Sequence, residues 1–397
     1  MQKWEEDKTQ RWITFCPYEV RTKLGINVGY LFNEDFNEAY YKIEEAYDAG
    51  ILKVATAHVI NDLWKHILQV AFERGRPYVA FTCKINRDNP NKHDGVIFCV
   101  NLCVESYSNT KPDYYAHTCS LASLVVGRIP MNKLSDKASS LTRLLDNCID
   151  LTEPPIFESA NHMRDYRTIG IGIQGLIDLL ARERKTYDDL DFITEVAERI
   201  QYGFVRESIN IAKEKGAYPK FKGSRWDVGD IFEEYIKNSV CPDLNWNILK
   251  QECKIYGIRN SQGTSPAPNT STSIFMMAGA GVMPGYAAYF YEDNKNGKTP
   301  VSSMHLKDSP FIYEISAGDY YQANLTKAVG ALQKFVDTGI SAEYVLDRNQ
   351  KGVNALWIHD LYFSAWKNGN KAVYYLRTIK QGEYPVKTED VCVSCSG

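Results

Sequence analysis

The segment VNLCVES, residues 100–106, places one thiol midway between an amide and a carboxylate. Cys103 has Asn101 two positions before it and Glu105 two positions after it. Side chains alternate along an extended strand, so these three would lie on one face, with Cys99 next in the row. A reactive sulfur between a hydrogen-bond donor and a general base could act on a single small substrate. A strand whose polar edge faces solvent would show the same spacing.

A second candidate is the run NTSTS, residues 269–273, which follows Pro268. Its short hydroxyl and amide side chains, with adjacent backbone N–H groups, suit a phosphate or a diphosphate. An ordinary loop that caps a helix would use the same residue types.

A third motif could be read as a dinucleotide-binding fingerprint or as a site of close packing. TIGIGIQGLIDLL contains Gly170, Gly172 and Gly175 as G-x-G-x-x-G, but it follows the charged NHMRDYRT and is expected to run straight into a helix. A dinucleotide fingerprint should follow a strand, so close helix packing explains these glycines better.

The chain ends in VCVSCSG, with Cys392 and Cys395 as C-x-x-C. This spacing serves a dithiol redox pair or half of a zinc site, for which Cys99 and Cys103 would be the other half. The C-x3-C spacing of that second pair falls in an apolar run without a suitable histidine. The polar stretch from about Gln381 is predicted to be a mobile tail, which favours the redox interpretation.

Helical periodicity marks three segments that must help to position these groups, residues 57–75, 189–216 and 319–339. Each is predicted to be an amphipathic helix that stops at its final glycine. The apolar faces predicted for the first and third are Val59, Leu63, Ile67 and Val70, and Leu325, Val329, Leu332 and Val336.

Short β-type runs lie between the helices: YVAFTC, GVIFCVNLC, SLASLVVG and KAVYYLRT. Strands that alternate with helices predict an α/β fold with mainly parallel pairing. The last run holds Tyr374 and Tyr375, which a regular strand would point to opposite faces, so packing alone accounts for the pair.

Composition excludes several classes of protein. The 397 residues carry a net charge of -3 without long runs of one sign, which argues against a nucleic-acid tail or an anionic membrane surface. The polar start has no secretory signal, so a cytoplasmic protein is predicted, with its ten cysteines mostly reduced. The uncharged residues 274–291 hold Pro284 and several glycines and are predicted to be a buried loop and strand rather than a membrane span.

In their order along the chain, FCPYEV, INRDNPNKH, NLCVES, CSLASL, RTIGIGIQGL, PNTSTS, YYLRT and the cysteine tail resemble the catalytic large (α) subunit of class I ribonucleotide reductase. The resemblance covers nearly the whole chain. It implies the C-terminal portion of a ten-stranded α/β barrel over residues 1–380, with a central finger loop near residues 95–110. Residues 381–397 would be a flexible redox tail.

The resemblance also implies roles at the opening motif. Cys103 would become the thiyl radical that takes hydrogen from C3′ of a ribonucleoside diphosphate. Glu105 would be the base for the 3′-hydroxyl, and Asn101 would bind the ribose and help the 2′-hydroxyl to leave. Leu102 and Val104 complete the substrate-contacting run.

Further residues match by position in the family's motifs. Cys119 matches one of two cysteines that reduce the substrate and end as a disulfide. Tyr374 and Tyr375 match a stacked pair through which the radical arrives, and Cys392 and Cys395 match the tail dithiol. The loop that would hold the diphosphate matches Pro268, Asn269, Thr270, Ser271 and Thr272.

The sequence also departs from the family pattern. Nothing before residue 100 matches the first redox cysteine, since Cys16 and Cys83 lie in other motifs, and no segment matches the allosteric nucleotide sites. The chain therefore resembles the C-terminal half of the subunit.

The resemblance implies several partners for the half subunit. They are a complementary N-terminal fragment, a small (β) subunit whose dimetal centre, of the diiron-tyrosyl type, supplies the radical, and thioredoxin or glutaredoxin. The reconstituted subunit would be a homo-oligomer, no cofactor or metal would be bound by this chain, and nucleotide effectors would bind the missing part. A cobalamin-dependent reductase of the same fold and a non-catalytic zinc or nucleotide-binding module are the alternatives.

Overall fold

The computed structural model describes residues 1–294, 297–349 and 353–379. Its α-helices are α1 Gln2–Glu6, α2 Pro17–Leu24, α3 Asn33–Asp48, α4 Ile60–Arg74, α5 Thr82–Asp88, α6 Leu134–Leu151, α7 Phe157–Tyr166, α8 Leu176–Arg182, α9 Leu190–Lys215, α10 Arg225–Val228, α11 Asp230–Asn238, α12 Trp246–Tyr256, α13 Thr270–Phe275, α14 Gln322–Gln333 and α15 Ala355–Lys367. Its strands are β1 Arg11–Phe15, β2 Ala55–Val59, β3 Val79–Ala80, β4 Leu121–Val125, β5 Gly170–Gln174, β6 Tyr289–Asn294, β7 Gly297–Ser302, β8 Tyr344–Asp347, β9 Ala372–Val373 and β10 Leu376–Ile379.

The strands of the described residues form five two-stranded ladders. β4 with β5 and β8 with β10 are parallel, whereas β1 with β2, β3 with β9 and β6 with β7 are antiparallel. The prediction of a mixed α/β fold is confirmed, but the prediction of mainly parallel pairing is wrong. No closed barrel is formed within the described part of the chain, so the ten-stranded barrel stays a prediction.

The glycine-rich motif forms β5 and then leads directly into α8 through Gly175, so the helix was predicted and the strand before it was not. A Cβ on Gly170 would lie 2.3 Å from the Leu121 side chain, and one on Gly172 would lie 2.3 Å from the Ser123 hydroxyl, both on β4. Glycine is therefore needed here for the close approach of β5 to β4. Packing explains the motif, as predicted, but it is the packing of strands.

The main core is formed by apolar side chains of α6, α8, α9 and α14 together with Ile171 and Ile173 of β5. Its largest fully buried side chains include Phe204, Trp226 and Phe335. Burial of this many apolar side chains is the dominant stabilising term for a chain of this length. This core supports the loops that carry the polar residues.

Two of the three predicted helices end where their glycines lie. α4 stops at Gly75, whose φ of 69° is left-handed, and α9 stops at Gly216. The prediction of the buried face of α4 is wrong by one position. The buried residues are Ile60, Leu68 and Ala71, each one position after a predicted residue. The third helix, α14, ends before Gly339.

The uncharged segment 274–291 is mostly loop, followed by the start of β6. Within the residues that the structure describes, no helix is both long enough and apolar enough to span a membrane.

Candidate active site

The loop of residues 95–110 carries the opening motif and contains no strand, contrary to the strand predicted for GVIFCVNLC. Asparagine side chains hold its base. Asn86 donates to the carbonyl of Ile97 and accepts from its N–H, at 2.9 and 2.8 Å. Asn109 donates to the carbonyl of Gly95 at 2.9 Å. Buried amides thus replace the missing ladder as backbone partners.

The tip of this loop is a tight turn. The N–H of Val104 donates to the carbonyl of Asn101 at 3.1 Å, and the N–H of Asn101 donates to the carbonyl of Ser106 at 3.3 Å. Val104 has a φ of 60°, which is costly for a β-branched residue and persists only where the surroundings enforce it. The expectation that Asn101, Cys103 and Glu105 share one strand face is therefore wrong, because the turn brings these residues together.

Residues far along the chain clamp the tip. The carbonyl of Glu105 accepts from the N–H of Gly339 at 3.1 Å and from the hydroxyl of Ser265 at 2.9 Å. A Cβ on Gly339 would lie 2.2 Å from the carbonyl oxygen of Val104. Gly339 is thus required by the loop that it touches, and not as the end of a helix.

The half-buried Asn101 and the buried Glu105 form a polar pair. The Asn101 Nδ2 donates to Glu105 Oε2 at 2.9 Å, while its Oδ1 accepts from the N–H of Ser106 at 2.9 Å. The Ser341 hydroxyl lies 2.9 Å from Glu105 Oε2 and 2.5 Å from the carbonyl oxygen of Cys103, so it can donate its one hydrogen to either. Glu105 is only 3% exposed, and contacts with the Asn101 amide and the Ser341 hydroxyl hold its carboxylate in place.

Three tyrosines lead to the sulfur of Cys103. The hydroxyl of Tyr374 donates to Cys103 Sγ at 3.4 Å. The ring centroid of Tyr374 lies 4.3 Å from that of Tyr375 and 4.9 Å from that of Tyr78. The strand predicted for KAVYYLRT is interrupted here, between β9 and β10, and the interruption lets the two adjacent rings meet. Aromatic contacts therefore continue from half-buried Tyr375 to the thiol.

The pKa values of the tyrosine hydroxyls are shifted in opposite directions along the row. Burial, with the neighbouring Cys103, raises the pKa of Tyr374 far above its ordinary value. The neighbouring hydroxyls of Tyr78 and Tyr374 lower the pKa of Tyr375. Tyr374 therefore keeps its proton and remains a hydrogen-bond donor to the sulfur.

Cys119 lies just before β4, on an open cleft of about 500 Å³ that Asn101 and Ser106 also line. Burial raises the pKa of the Cys119 thiol, and the nearby Glu105 and Cys103 raise it further. The structure thus places Cys119 on a cleft that the loop carrying Cys103 also lines, while its redox role stays a prediction.

The predicted phosphate loop leads into α13, which begins at Thr270. Asn269, in the left-handed region with a φ of 57°, accepts from the Ser123 hydroxyl at 2.9 Å and donates to the carbonyl of Ile173 at 3.2 Å. These contacts tie the loop to β4 and β5. The first N–H groups of α13 have no partner within the helix, and the exposed hydroxyls lie beside them.

A cavity of about 120 Å³ adjoins this loop and is lined by Pro268, Thr270 and Ser341, among others. Ser341 also contacts Glu105, so it joins the cavity to the loop tip. The structure therefore brings the two predicted halves of the site together through a residue that the sequence did not suggest.

Some predicted site residues are not part of this cluster. The side chain of Leu102 points away, with 79% of its surface exposed. Cys392 and Cys395 lie outside the described residues, so the redox and zinc interpretations of the tail both stay predictions. Among the residues that are described, no group of three His, Cys, Asp or Glu side chains could hold a metal ion.

Sequence reasoning missed Tyr78, Ser265, Gly339 and Ser341. Tyr78 lies beside the Tyr374–Tyr375 pair, and the others clamp the loop. No periodic pattern marks them, because each acts across a long sequence separation. A signal was available only for the asparagines at the base of the loop, such as Asn86, which lie in the asparagine-rich INRDNPNKH, whose residue types favour capping and turns.

The mixed α/β fold and this cluster define a candidate thiol redox centre, in which a cysteine at a strained loop tip is reached by tyrosines and flanked by an amide–carboxylate pair. Comparison with known proteins makes the class specific. The family model for the ribonucleotide reductase barrel domain matches residues 1–376. The chain belongs to the ribonucleotide reductase family.

The curated relatives are longer than this chain. The chain is 37% identical to the ribonucleoside-diphosphate reductase subunit alpha of Synechocystis sp., over 97% of this chain and 52% of the relative. It is 31% identical to the subunit alpha of Treponema pallidum, over 92% and 45%. It is 26% identical to the large subunit from monkeypox virus, over 97% and 55%. The chain therefore spans about half the length of the curated relatives it matches.

Proposed function

We propose that this chain is the catalytic part of a ribonucleoside-diphosphate reductase, which converts ribonucleoside diphosphates to 2′-deoxyribonucleoside diphosphates. The observation that carries the proposal is the hydrogen bond from Tyr374 to Cys103 at 3.4 Å, at the inner end of a row of tyrosines. A tyrosyl radical can take a hydrogen atom from a thiol to which it is hydrogen-bonded. The names of the relatives independently give the reaction class.

In this reaction the Cys103 thiyl radical takes the hydrogen atom from C3′ of the ribose and returns one after reduction. Glu105 accepts the proton of the 3′-hydroxyl, and its bond from Asn101 holds the carboxylate in place. Asn101 can turn the same amide toward the 2′-hydroxyl, which leaves as water. Closure of the proposed barrel around the site would limit quenching of the substrate radical by solvent.

The reducing equivalents come from Cys119 and a second thiol. Two thiols give two electrons and two protons and become a disulfide, while the ribonucleotide loses its 2′-hydroxyl as water and gains a C–H bond. The diphosphate is held by residues 268–272, where the first backbone N–H groups of α13 and the exposed hydroxyls of Thr270 and Ser271 are placed to donate. The tail dithiol, Cys392 and Cys395, reduces the disulfide and is reduced in turn by thioredoxin or glutaredoxin.

Activity requires more protein than this chain. Its second redox thiol and its effector sites belong to the part of the family's polypeptide that the chain does not match. Among the described residues, β4 pairs with β5 on one side only, so its other edge, beside Cys119, is available for a further strand of the proposed ten-stranded barrel. The radical comes from a small (β) subunit with a dimetal centre, and the assembled subunit forms a homo-oligomer in the cytoplasm.

Replacement of Cys103 by Ser tests the proposal in the reconstituted enzyme. Cys103→Ser removes the centre that abstracts hydrogen and changes side-chain size little, so deoxynucleotide formation should vanish while ribonucleoside diphosphate still binds. Cys99→Ser, an exposed thiol four residues earlier, is the matched control and should retain turnover. Reduction of ribonucleoside diphosphates by Cys103→Ser would rule out the thiyl assignment.

A further inference from the structure

A buried lysine lies where the segments that build the candidate site meet. Lys371 directly precedes β9, three positions before Tyr374, and only 2% of its surface is exposed. Lysine is almost never fully buried unless its ammonium is paired. An apolar side chain of similar size would often fill the same space at no loss of stability, so the charge has to be explained by what it contacts.

The ammonium of Lys371 faces three acceptors. Its Nζ donates to the carbonyl of Asp337 at 2.9 Å and to the carbonyl of Val336 at 3.1 Å, and it lies 3.4 Å from Oδ2 of Asp88. An ammonium has three N–H donors, so each acceptor can be matched by one of them. Burial lowers the pKa of Lys371, while Asp88 and Asp337 oppose this shift and favour the charged form.

The segment that accepts these bonds is anchored to the rest of the fold. The Asp337 carboxylate accepts from the N–H of Gly263 and from Nε2 of Gln201, both at 2.7 Å. Two residues further on, Gly339 donates its N–H to the loop tip that carries the thiol. Lys371 is therefore bonded to a fixed segment that also clamps the loop.

In the other direction Lys371 is continuous with the tyrosines, as the first residue of the run KAVYY. Ala372 and Tyr374 of this run pack with Val104, the strained residue of the loop tip, in a small buried cluster. Cys103 lies against the same cluster. The distance between the Tyr374 hydroxyl and the thiol thus depends on how this run is held against the clamp.

We propose that Lys371 is a positioning residue for the step in which a Tyr374 radical takes a hydrogen atom from Cys103, because its two carbonyl bonds hold the tyrosine run against the segment that clamps the loop. The inference deepens the proposed function and rests on its assignment of the radical route. The ammonium is bonded to carbonyls rather than to the thiol, so Lys371 acts only through the position of Tyr374. Asp88 neutralises the buried charge.

The step itself makes the position important. The S–H bond of Cys103 breaks and the O–H bond of Tyr374 forms, so the tyrosyl radical is reduced and the thiol is oxidised to a thiyl radical. The two heavy atoms already lie 3.4 Å apart, in direct hydrogen-bond contact. A misplacement of about 1 Å can lower the rate of such a step about a hundredfold.

Alkylation of the chain alone tests the positioning without any reaction. Lys371→Met keeps the length of the side chain and removes its donors, so the tyrosine run should move off the clamp and uncover the half-buried thiol. Modification of Cys103 by iodoacetamide, followed by peptide mass spectrometry, should become about fivefold faster, as expected for local opening. Asp88→Asn removes the charge partner and leaves both carbonyl bonds, so Cys103 should react at close to the wild-type rate.

A double variant tests whether Lys371 acts through the tyrosine. Tyr374→Ala removes the ring that covers Cys103, and adding Lys371→Met should give no further acceleration, because there is no ring left to position. A wild-type rate for Cys103 in folded Lys371→Met, an equal acceleration in Asp88→Asn, or additive acceleration in the double variant would overturn the proposal.

Two buried thiols, Cys241 and Cys253, report unfolding, since they should stay unmodified in every folded variant. If their modification shows that Lys371→Met is unfolded, Lys371→Gln takes its place. The shorter amide can donate to one carbonyl only, so Cys103 should react faster than in the wild type and faster than in Asp88→Asn. Equal rates in these three proteins would overturn the proposal.

Lys23→Met is the matched control. Lys23 also donates to a carboxylate and a carbonyl, those of Glu19 and Ile51, but it lies in the separate small core of α2 and α3. Its replacement should leave the Cys103 rate unchanged. Acceleration equal to that in Lys371→Met would show that any lost lysine contact opens the loop, and would overturn the assignment to Lys371.

The reconstituted enzyme separates positioning from a loss of folded protein. Lys371→Met should lower kcat about a hundredfold. Hydrogen transfer from Cys103 to Tyr374 then limits the rate, so the isotope effect on kcat of deuterium at C3′ of the substrate should fall toward unity. An isotope effect equal to that of the wild type at a lower rate would indicate only fewer folded molecules and would overturn the proposal. The alkylation series uses no substrate or partner, so its outcome is distinct from that of the Cys103→Ser assay.

Discussion

The helix pair α6–α9 and the loop of residues 95–110 are ordered by different forces. The helices bury apolar side chains along their length, and Gly203 lets them approach so closely that its Cβ would lie 2.2 Å from the carbonyl oxygen of Ser135. Polar contacts also recur along the pair and are local to it, such as the Ser139 hydroxyl to the carbonyl of Gly203 and the Arg143 guanidinium to Glu214, both at 2.8 Å.

The loop has no regular hydrogen-bonding pattern of its own. Its tip is fixed by Ser265, Gly339 and Ser341, all more than 150 positions later in the chain. A helix pair distributes its stability over many contacts, whereas this loop depends on a few. The difference indicates that the helix pair contributes strongly to the folding free energy. The loop contributes little of its own, and it can hold a strained residue, Val104, beside Cys103 only because the rest of the fold is stable.

The largest effect is expected from overpacking of the helix pair. Gly203→Val places side-chain atoms against the backbone of α6, which cannot move without separating the helices, so the free energy of unfolding should fall by about 4 kcal/mol. Denaturant unfolding of the chain measures it. Gly29→Ala is the control, because a Cβ there would meet only the Asn27 side chain, at an ordinary contact distance of 3.8 Å, and it should be close to neutral. An equally small effect at Gly203 would show that the pair is loosely packed.

The next largest effect concerns the pH dependence of stability that His117 causes. Burial lowers the pKa of His117 from 6.5 to about 4, so the unfolded chain binds more protons between these two values. The free energy of unfolding should therefore fall as pH drops through that window, by up to about 3 kcal/mol, and be constant from this source above it. His117→Gln should lose this part of the pH dependence when unfolding is measured at several pH values. An unchanged pH profile in His117→Gln would contradict the burial of a neutral imidazole.

A smaller loss of stability is expected at the clamp. Gly339→Ala places a Cβ 2.2 Å from the carbonyl oxygen of Val104, so the loop tip must shift. The cost should be about 2 kcal/mol, because one loop can move where a helix pair cannot. Cys103 should then react faster with iodoacetamide, since its contact with Tyr374 is lost. Unchanged reactivity of Cys103 would mean that the clamp does not set the position of the tip.

The helices could be predicted because their signal is repeated. Apolar residues recur through α9, and glycines end α4 and α9, so several weak signals agree. The exact face of α4 could not be predicted, because Ile60 and Val59 are both apolar and only the neighbouring elements decide which is buried.

The loop could not be predicted from local pattern. GVIFCVNLC has the composition of a strand, yet tertiary contacts hold it in a turn with Val104 in the left-handed region. The residue types and the family resemblance identify Cys103, Glu105 and Asn101 as candidate site residues. Their geometry depends on residues such as Gly339 that are distant in sequence, as does the meeting of Tyr374 with the thiol.

Replacement of Tyr374 by Phe tests the central claim most directly, since it removes only the hydroxyl that lies 3.4 Å from Cys103 Sγ. The ring still packs, so the free energy of unfolding should change by less than about 1 kcal/mol. Tyr344→Phe is the matched control, because the buried hydroxyl of Tyr344 also makes one 3.4 Å bond, to Asn370. In the reconstituted enzyme we expect Tyr374→Phe to bind ribonucleoside diphosphate but form no deoxynucleotide, while Tyr344→Phe turns over normally. Deoxynucleotide formation by Tyr374→Phe at the rate of the control would contradict the account.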